Sequence, residues 1–130
     1  MRIKWWAALL GVVILVIIVL NDTHHLGVLE LMYRVPHADK VAHFGLFGLL
    51  SLLTNLAVFE RWPRLARSAL ALRTSGLLAV LMALEELSQK LFPNRTASVW
   101  DLAAGWLGVM CFTFLALFIA CRRAASTTAI

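Results

Sequence analysis

The sequence predicts an all-α, polytopic membrane protein: a four-transmembrane-helix bundle with N- and C-termini in the cytoplasm. Three observations predict it. Of the 130 residues, 62% are hydrophobic and the mean hydropathy is +0.85. That apolar share is well above that of a soluble domain, and packing cannot hide it in so small a body. The apolar residues also fall into four runs, 5–20, 41–59, 70–91 and 99–121, close to the length that crosses a bilayer as helix. Finally, basic residues cluster at one set of run ends. The net charge of +5 therefore records topology, and no nucleic-acid partner is expected.

The first run follows Arg2 and Lys4 and ends in Asn21-Asp22-Thr23-His24-His25. A basic start before an apolar block also describes a signal peptide, but no small-x-small cleavage site follows, so an uncleaved span is expected. Its 16 residues make about 24 Å of helix, with Trp5 and Trp6 as interface anchors. Between the first two runs, Leu26, Leu29, Met32 and Tyr33 recur at helical spacing, which predicts a short amphipathic helix stopped by Pro36. Asp39 then stands where an N-cap belongs, ahead of the second span, whose other polar residues are Ser51, Thr54 and Asn55.

Glu60 to Arg67 is a basic, proline-broken loop. The third span carries Arg73 near its start and Glu85, Glu86 and Gln89 near its end. A turn through Phe92, Pro93 and Arg95 leads to Ser98-Val99-Trp100-Asp101, which matches a capping box opening the fourth span. Arg122 and Arg123 close that span. Its Cys111 and Cys121 are ten residues apart, about 15 Å along a helix, too far to bridge. Gly105 and Gly108, and Gly45 and Gly48 on the second span, are expected to admit a neighbouring helix closely.

Four spans put both termini on one side. That side holds Arg2, Lys4, Arg61, Arg64, Arg67, Arg73, Arg122 and Arg123 against one acid, Glu60. The other side holds Arg34, Lys40, Lys90 and Arg95 against Asp22, Glu30, Asp39, Glu85, Glu86 and Asp101. The basic side faces the cytoplasm, so the acidic side faces outward. Spans two and four then present their N-termini, and the positive ends of their dipoles, at the outer face. Glu86 and Gln89 are three residues apart, and Asp39 and His43 four, so each pair shares a helix face. Two half-buried polar faces at matching depth are more easily satisfied together than apart. A single polar nest is expected there.

Glu86, Asp101 and His43 are the candidate catalytic residues of that nest. Glu86, partly dehydrated, suits an acid or base, while Asp101 stays ionised near a helix N-terminus and Arg95, and His43 suits a proton carrier oriented by the Asp39 carboxylate. Asp39, Lys40, Gln89, Arg95 and Ser98 are the candidate binding residues. Arg95, Lys40 and two helix N-termini would make a cradle for phosphate. Glu85 is expected to point elsewhere. The competing structural reading makes Asp39 and Asp101 helix caps and pairs Glu86 with Arg95 or Lys40. The spacing of His24, His25, His37 and Asp39 fits no familiar metal site, and no metal or cofactor is expected.

The series Asp39-Lys40-x-x-His43-Phe44, Glu86-x-x-Gln89, Phe92-x-x-Arg95, Ser98-x-x-Asp101 and Gly108 resembles the VanZ-like family of small bacterial membrane proteins over residues 39–108. The resemblance implies four transmembrane helices, a multi-pass place in the bacterial plasma membrane and no cofactor. The family's founding member is linked to low-level resistance to the glycopeptide teicoplanin. Gly105 departs from the pattern, since the family usually has Asn four residues after the Asp. The function implied is a cell-envelope role with membrane lipids and a lipid-linked precursor as partners. The alternatives are a membrane-embedded hydrolase or transferase using Glu86 and Asp101, and a structural or assembly protein. A small proton-coupled exporter ranks last, because residues 5–20 carry no ionisable group.

Overall fold

The computed structural model describes residues 3–22, 34–91 and 98–128. Those residues form four α-helices and no strand: α1 (Ile3–Asp22), α2 (Ala38–Arg61), α3 (Arg67–Ser88, tightening into a 3-10 turn over Gln89–Leu91) and α4 (Val99–Thr128). The all-helical expectation holds. The helices α2, α3 with its 3-10 turn, and α4 are long and apolar enough to cross a membrane. In α1 the apolar stretch Lys4–Ile17 is shorter, within a helix of 20 residues. The expected amphipathic segment over 26–33, His24 and His25, and the turn carrying Arg95 lie outside the described residues.

Two boundaries differ from expectation. The second helix begins at Ala38, with His37 in the cap position at φ 64° and no side-chain cap. Asp39 is therefore a first-turn residue rather than the N-cap. At the other end of the chain α4 does not stop at Arg122 and Arg123 but continues to Thr128, because Ala124 and Ala125 are strong helix formers.

The helices α2 and α4 share the longest interface and run parallel. Phe44 meets Gly108 near their starts, Ser51 meets Val109 and Thr113 midway, and Leu56, Phe59, Ala116 and Ala120 cluster farther along. Helix α3 runs antiparallel to both: Met82 lies against Gly105, Ser75 against Thr113, and the Arg67 guanidinium donates to the Ala120 carbonyl at 2.9 Å. Helix α1 packs on the flank of α2, where Gly11 meets Leu50.

The bundle buries polar side chains at mid-depth and turns large apolar ones outward. The largest fully buried side chains are Asn55 and Ser51, whereas Leu72, Leu77, Val80, Leu84, Phe114 and Phe118 are more than half exposed. Such a surface suits lipid tails, and in lipid helices gain little from burying more leucine. Interhelical hydrogen bonds take over. Thr113 Oγ1 donates to the Val109 carbonyl at 2.7 Å and accepts from Ser51 (2.8 Å) and Ser75 (2.7 Å), while the Asn55 amide donates to the Ser51 carbonyl at 2.9 Å. At 1.5 Å per residue this node lies about 18 Å along α2 from Asp39, about 16 Å along α3 from Glu86 and about 18 Å along α4 from Asp101. One layer joins all three helices at half depth.

Glycine is required where α4 crosses α2. A Cβ on Gly108 would sit 2.2 Å from the Phe44 carbonyl oxygen, a backbone atom that no rotamer can move. At Gly48 and Gly105 the obstacles are the Phe112 ring and the end of the Met82 side chain, and at Gly45 nothing lies within 4 Å. Close approach is thus a property of Gly108, Gly48 and Gly105, and Gly45 has no part in it. In detergent, Gly108→Ala is expected to cost about 1–3 kcal/mol through overpacking, read as a lowered unfolding midpoint. Gly45→Ala is expected to hold or raise that midpoint, since alanine favours the helix by up to about 1 kcal/mol. Equal midpoints for the two variants would contradict the packing.

Candidate functional site

Because α2 and α4 are parallel and α3 is antiparallel, two helix starts and one helix end meet at the same pole. The sequence places Asp39, Lys40 and His43 in the first turns of α2, Glu85, Glu86 and Gln89 in the last turn of α3, and Ser98 and Asp101 at the start of α4. The structure brings these groups together. Among the described residues the expected neighbours meet, with different pairings.

Glu86 is 6% exposed and Gln89 3%. The Ser98 backbone N–H, at the position preceding α4, donates to Glu86 Oε1 at 2.5 Å. In a capping box that amide would be taken by the side chain three residues on, here Asp101. Instead a carboxylate from another helix takes it, so Glu86 caps α4 from α3. The Ser98 carbonyl accepts the amides of Asp101 (3.1 Å) and Leu102 (3.2 Å) as the first turn closes. Gln89 Nε2 donates to Glu85 Oε1 at 2.7 Å and reaches Glu86 Oε2 at 3.5 Å. The 3-10 turn sets Gln89 where one amide spans both carboxylates.

Lys40 does not pair with Glu86. Its ammonium lies 3.2 Å from Asp39 Oδ2 and 3.1 Å from Asp101 Oδ1, tying the starts of α2 and α4 together. The contact to Asp101 is an ion pair outside hydrogen-bond geometry, for that buried oxygen has no directed donor. Both acids stand in first turns, where the helix dipole favours negative charge.

His43 is oriented by Asp39, but by its backbone carbonyl and not its carboxylate: Nδ1–H donates to that oxygen at 2.9 Å. With the proton on Nδ1, the neutral ring carries its lone pair on Nε2. The ring stacks on Phe47, with centroids 5.8 Å apart and planes at 27°. Glu85, expected to be peripheral, is central. Ligand atoms from His43, Glu85 and Glu86 all lie within 4.8 Å of one another. The signal was in the spacing, since Glu85 and Gln89 are four residues apart and share a helix face. Ser75 and Thr113, the mid-bundle partners of Ser51 and Asn55, were also missed, because an isolated hydroxyl in an apolar run does not announce its neighbour.

No protein-family model matches the chain, and no curated protein or solved structure matches it. The chemistry is therefore read from the groups themselves. Asp101 and Asp39 are engaged by Lys40, and Glu86 holds a backbone amide, so these acids carry structural duties beside any other. Arg95 lies outside the described residues, and Lys40 is shared between two acids. The described part of the pole is rich in acceptors.

The capping role of Glu86 separates its oxygen from its charge. Glu86→Gln keeps an acceptor for the Ser98 amide and is expected to cost less than about 1 kcal/mol, whereas Glu86→Leu orphans that amide and costs about 1–3 kcal/mol. Thermal unfolding in detergent reads the difference, and equal losses in both variants would show that the amide contact is not what holds α4.

Proposed function

We propose that this chain is an integral membrane protein of the VanZ-like kind with four spans and cytoplasmic termini, and that its polar pole, facing outward, binds the headgroup of a lipid-linked cell-envelope precursor. One observation carries the reading: seven polar or ionisable side chains and one helix-start amide from three helices gather at one pole of a bundle whose flanks are apolar. Such a pole meets the headgroup layer while the apolar flanks, among them Val99 and Trp100 at the start of α4 and Leu87 and Leu91 at the end of α3, receive a lipid tail. Carboxylates and the Gln89 amide suit sugar hydroxyls, and Lys40 suits a phosphate oxygen. Binding is favoured over catalysis by Glu86 and Asp101 as a pair. Glu86 is committed to the Ser98 amide and Asp101 to Lys40, which leaves neither carboxylate without a structural load.

The orientation rests on charge. The opposite pole carries Arg61, Arg64, Arg67, Arg122 and Arg123 against Glu60, which lies 3.9 Å from Arg123. Arg61 stacks on Trp62 and Arg122 on Phe118, with the cation 5.6 and 5.1 Å from the ring centre. Cys121, exposed near that pole, is therefore expected to resist a membrane-impermeant maleimide in intact cells and to react in inverted vesicles. Labelling in intact cells would reverse the orientation.

The ligand is tested by native mass spectrometry of the protein extracted in mild detergent. Polyprenyl-phosphate or glycolipid adducts are expected on the wild type and reduced about tenfold or more in Lys40→Ala and Gln89→Ala, as for loss of a charge-assisted contact. Adducts of bulk phospholipid alone would end the envelope-precursor reading.

A further inference from the structure

The headgroup reading gives no task to the imidazole of His43 and does not explain why two adjacent glutamates lie beside it. We propose that His43, Glu85 and Glu86 are the protein ligands of one divalent transition-metal ion of the zinc type, held at the pole where α2 meets α3. One donor atom from each residue lies within 4.8 Å of the other two. A tetrahedral zinc with bonds of about 2.1 Å spaces its donors by about 3.4 Å, so each has to move inward by no more than about 0.8 Å. Small side-chain torsions supply that.

Each ligand is held by contacts that suit it to a metal. The Nδ1–H of His43 is bound to the Asp39 carbonyl at 2.9 Å, and a carbonyl on that nitrogen fixes the tautomer of a metal-bound histidine and leaves the Nε2 lone pair for an ion. The Phe47 ring restrains the plane of the imidazole. On Glu86, the Ser98 amide holds Oε1 and so orients Oε2. Gln89, itself 3% exposed, contacts both carboxylates, at 2.7 and 3.5 Å. A buried donor hydrogen-bonded to ligand carboxylates holds their oxygens in place for a metal.

The donor set selects the ion. One imidazole nitrogen and two carboxylate oxygens suit zinc, manganese or ferrous iron, whereas magnesium and calcium favour oxygen alone and cuprous copper favours sulfur. Three protein ligands leave a fourth position on zinc, which takes water or an oxygen of a bound molecule. A divalent ion there would also let an anionic headgroup approach an acid-rich cluster. That last step, a phosphate oxygen on the open position, rests on the headgroup reading; the metal site does not.

The test uses tag-free full-length protein in detergent, with Cys111 and Cys121 replaced by Ser. Its metal content is measured by elemental analysis after zinc loading and desalting, and its visible d–d absorption after loading with Co²⁺. The expected result is one zinc per chain and an absorption band, with His43→Ala and Glu85→Gln each binding zinc at least about tenfold more weakly at unchanged helical circular dichroism. Glu85→Gln serves where His43→Ala fails to fold, because Glu85 does not hold the Ser98 amide. Replacing His24, His25 and His37 together by Ala is expected to leave the stoichiometry at one. No zinc on the wild type, or zinc unchanged in both site variants, or zinc lost with the three other histidines, overturns the site. Adding polyprenyl phosphate separates the two readings: zinc retained at one per chain with no lipid bound sustains the metal site and ends the headgroup reading, while lipid bound without zinc does the opposite.

Discussion

Two parallel helices in backbone contact govern this molecule. At Gly108 the backbone of α4 lies against the Phe44 carbonyl of α2, leaving no room for a Cβ. The starts of both helices therefore lie side by side, and each helix start carries about half a positive charge. Two like partial charges, with unbonded amides pointing the same way, demand acceptors and anions at that pole. Asp39 and Asp101 stand in the two first turns, Glu86 takes the Ser98 amide, and Lys40 is shared between the two aspartates. Helix α3, running the other way, brings the glutamates at its end into the gap. Much of the acidity of this pole follows from the packing direction alone.

Farther into the bundle the same three helices solve a different problem. Leucine and phenylalanine outside gain nothing by turning inward when the solvent is hydrocarbon. What distinguishes one helix face from another is then the ability to hydrogen-bond, and Ser51, Asn55, Ser75 and Thr113 supply it at one depth. Thr113 is the hub, since its hydroxyl answers its own helix through Val109 and both neighbours through Ser51 and Ser75. Such bonds average about 0.6 kcal/mol apiece in membrane bundles. Their value lies in register: sliding α2 by one residue against α4 would part Ser51 from Thr113 and bring a Cα with a side chain against Phe44.

The helices were legible from apolar runs, and α2, α3 and α4 match the expected spans to within a few residues except where α4 runs on to Thr128. Periodicity also foretold that Asp39, His43, Glu86 and Gln89 share one place. What could not be read were contacts between helices. Glu86 stood too far from any helix start of its own to be a cap, and its capping role appears only when α3 is laid beside α4. His37 entered the cap position because its backbone takes a left-handed φ, which nothing in Val35-Pro36-His37-Ala38 requires. Gly45 and Gly108 look alike as small residues, and only the crossing point tells them apart. Gly105 faces the end of the Met82 side chain, an apolar contact that no run of small residues announces.

The polar pole thus divides into two sets of groups. Asp39, Lys40 and Asp101 form a chain of charges across the starts of α2 and α4, and half of Glu86 belongs with them through its Oε1. These groups are explained by helix ends that would otherwise lack partners, and a protein with no ligand at all would still need them. His43 and Glu85 are not explained that way. Neither takes a helix-start amide, yet each brings a donor atom within 4.8 Å of one on Glu86. A carboxylate beside another carboxylate in a half-buried setting raises the energy of both. An arrangement that keeps two of them together beside an imidazole is where the proposed ion would be held. The structural demand ends at Glu86 Oε1, and the chemistry of this pole begins on the other side of the same carboxylate.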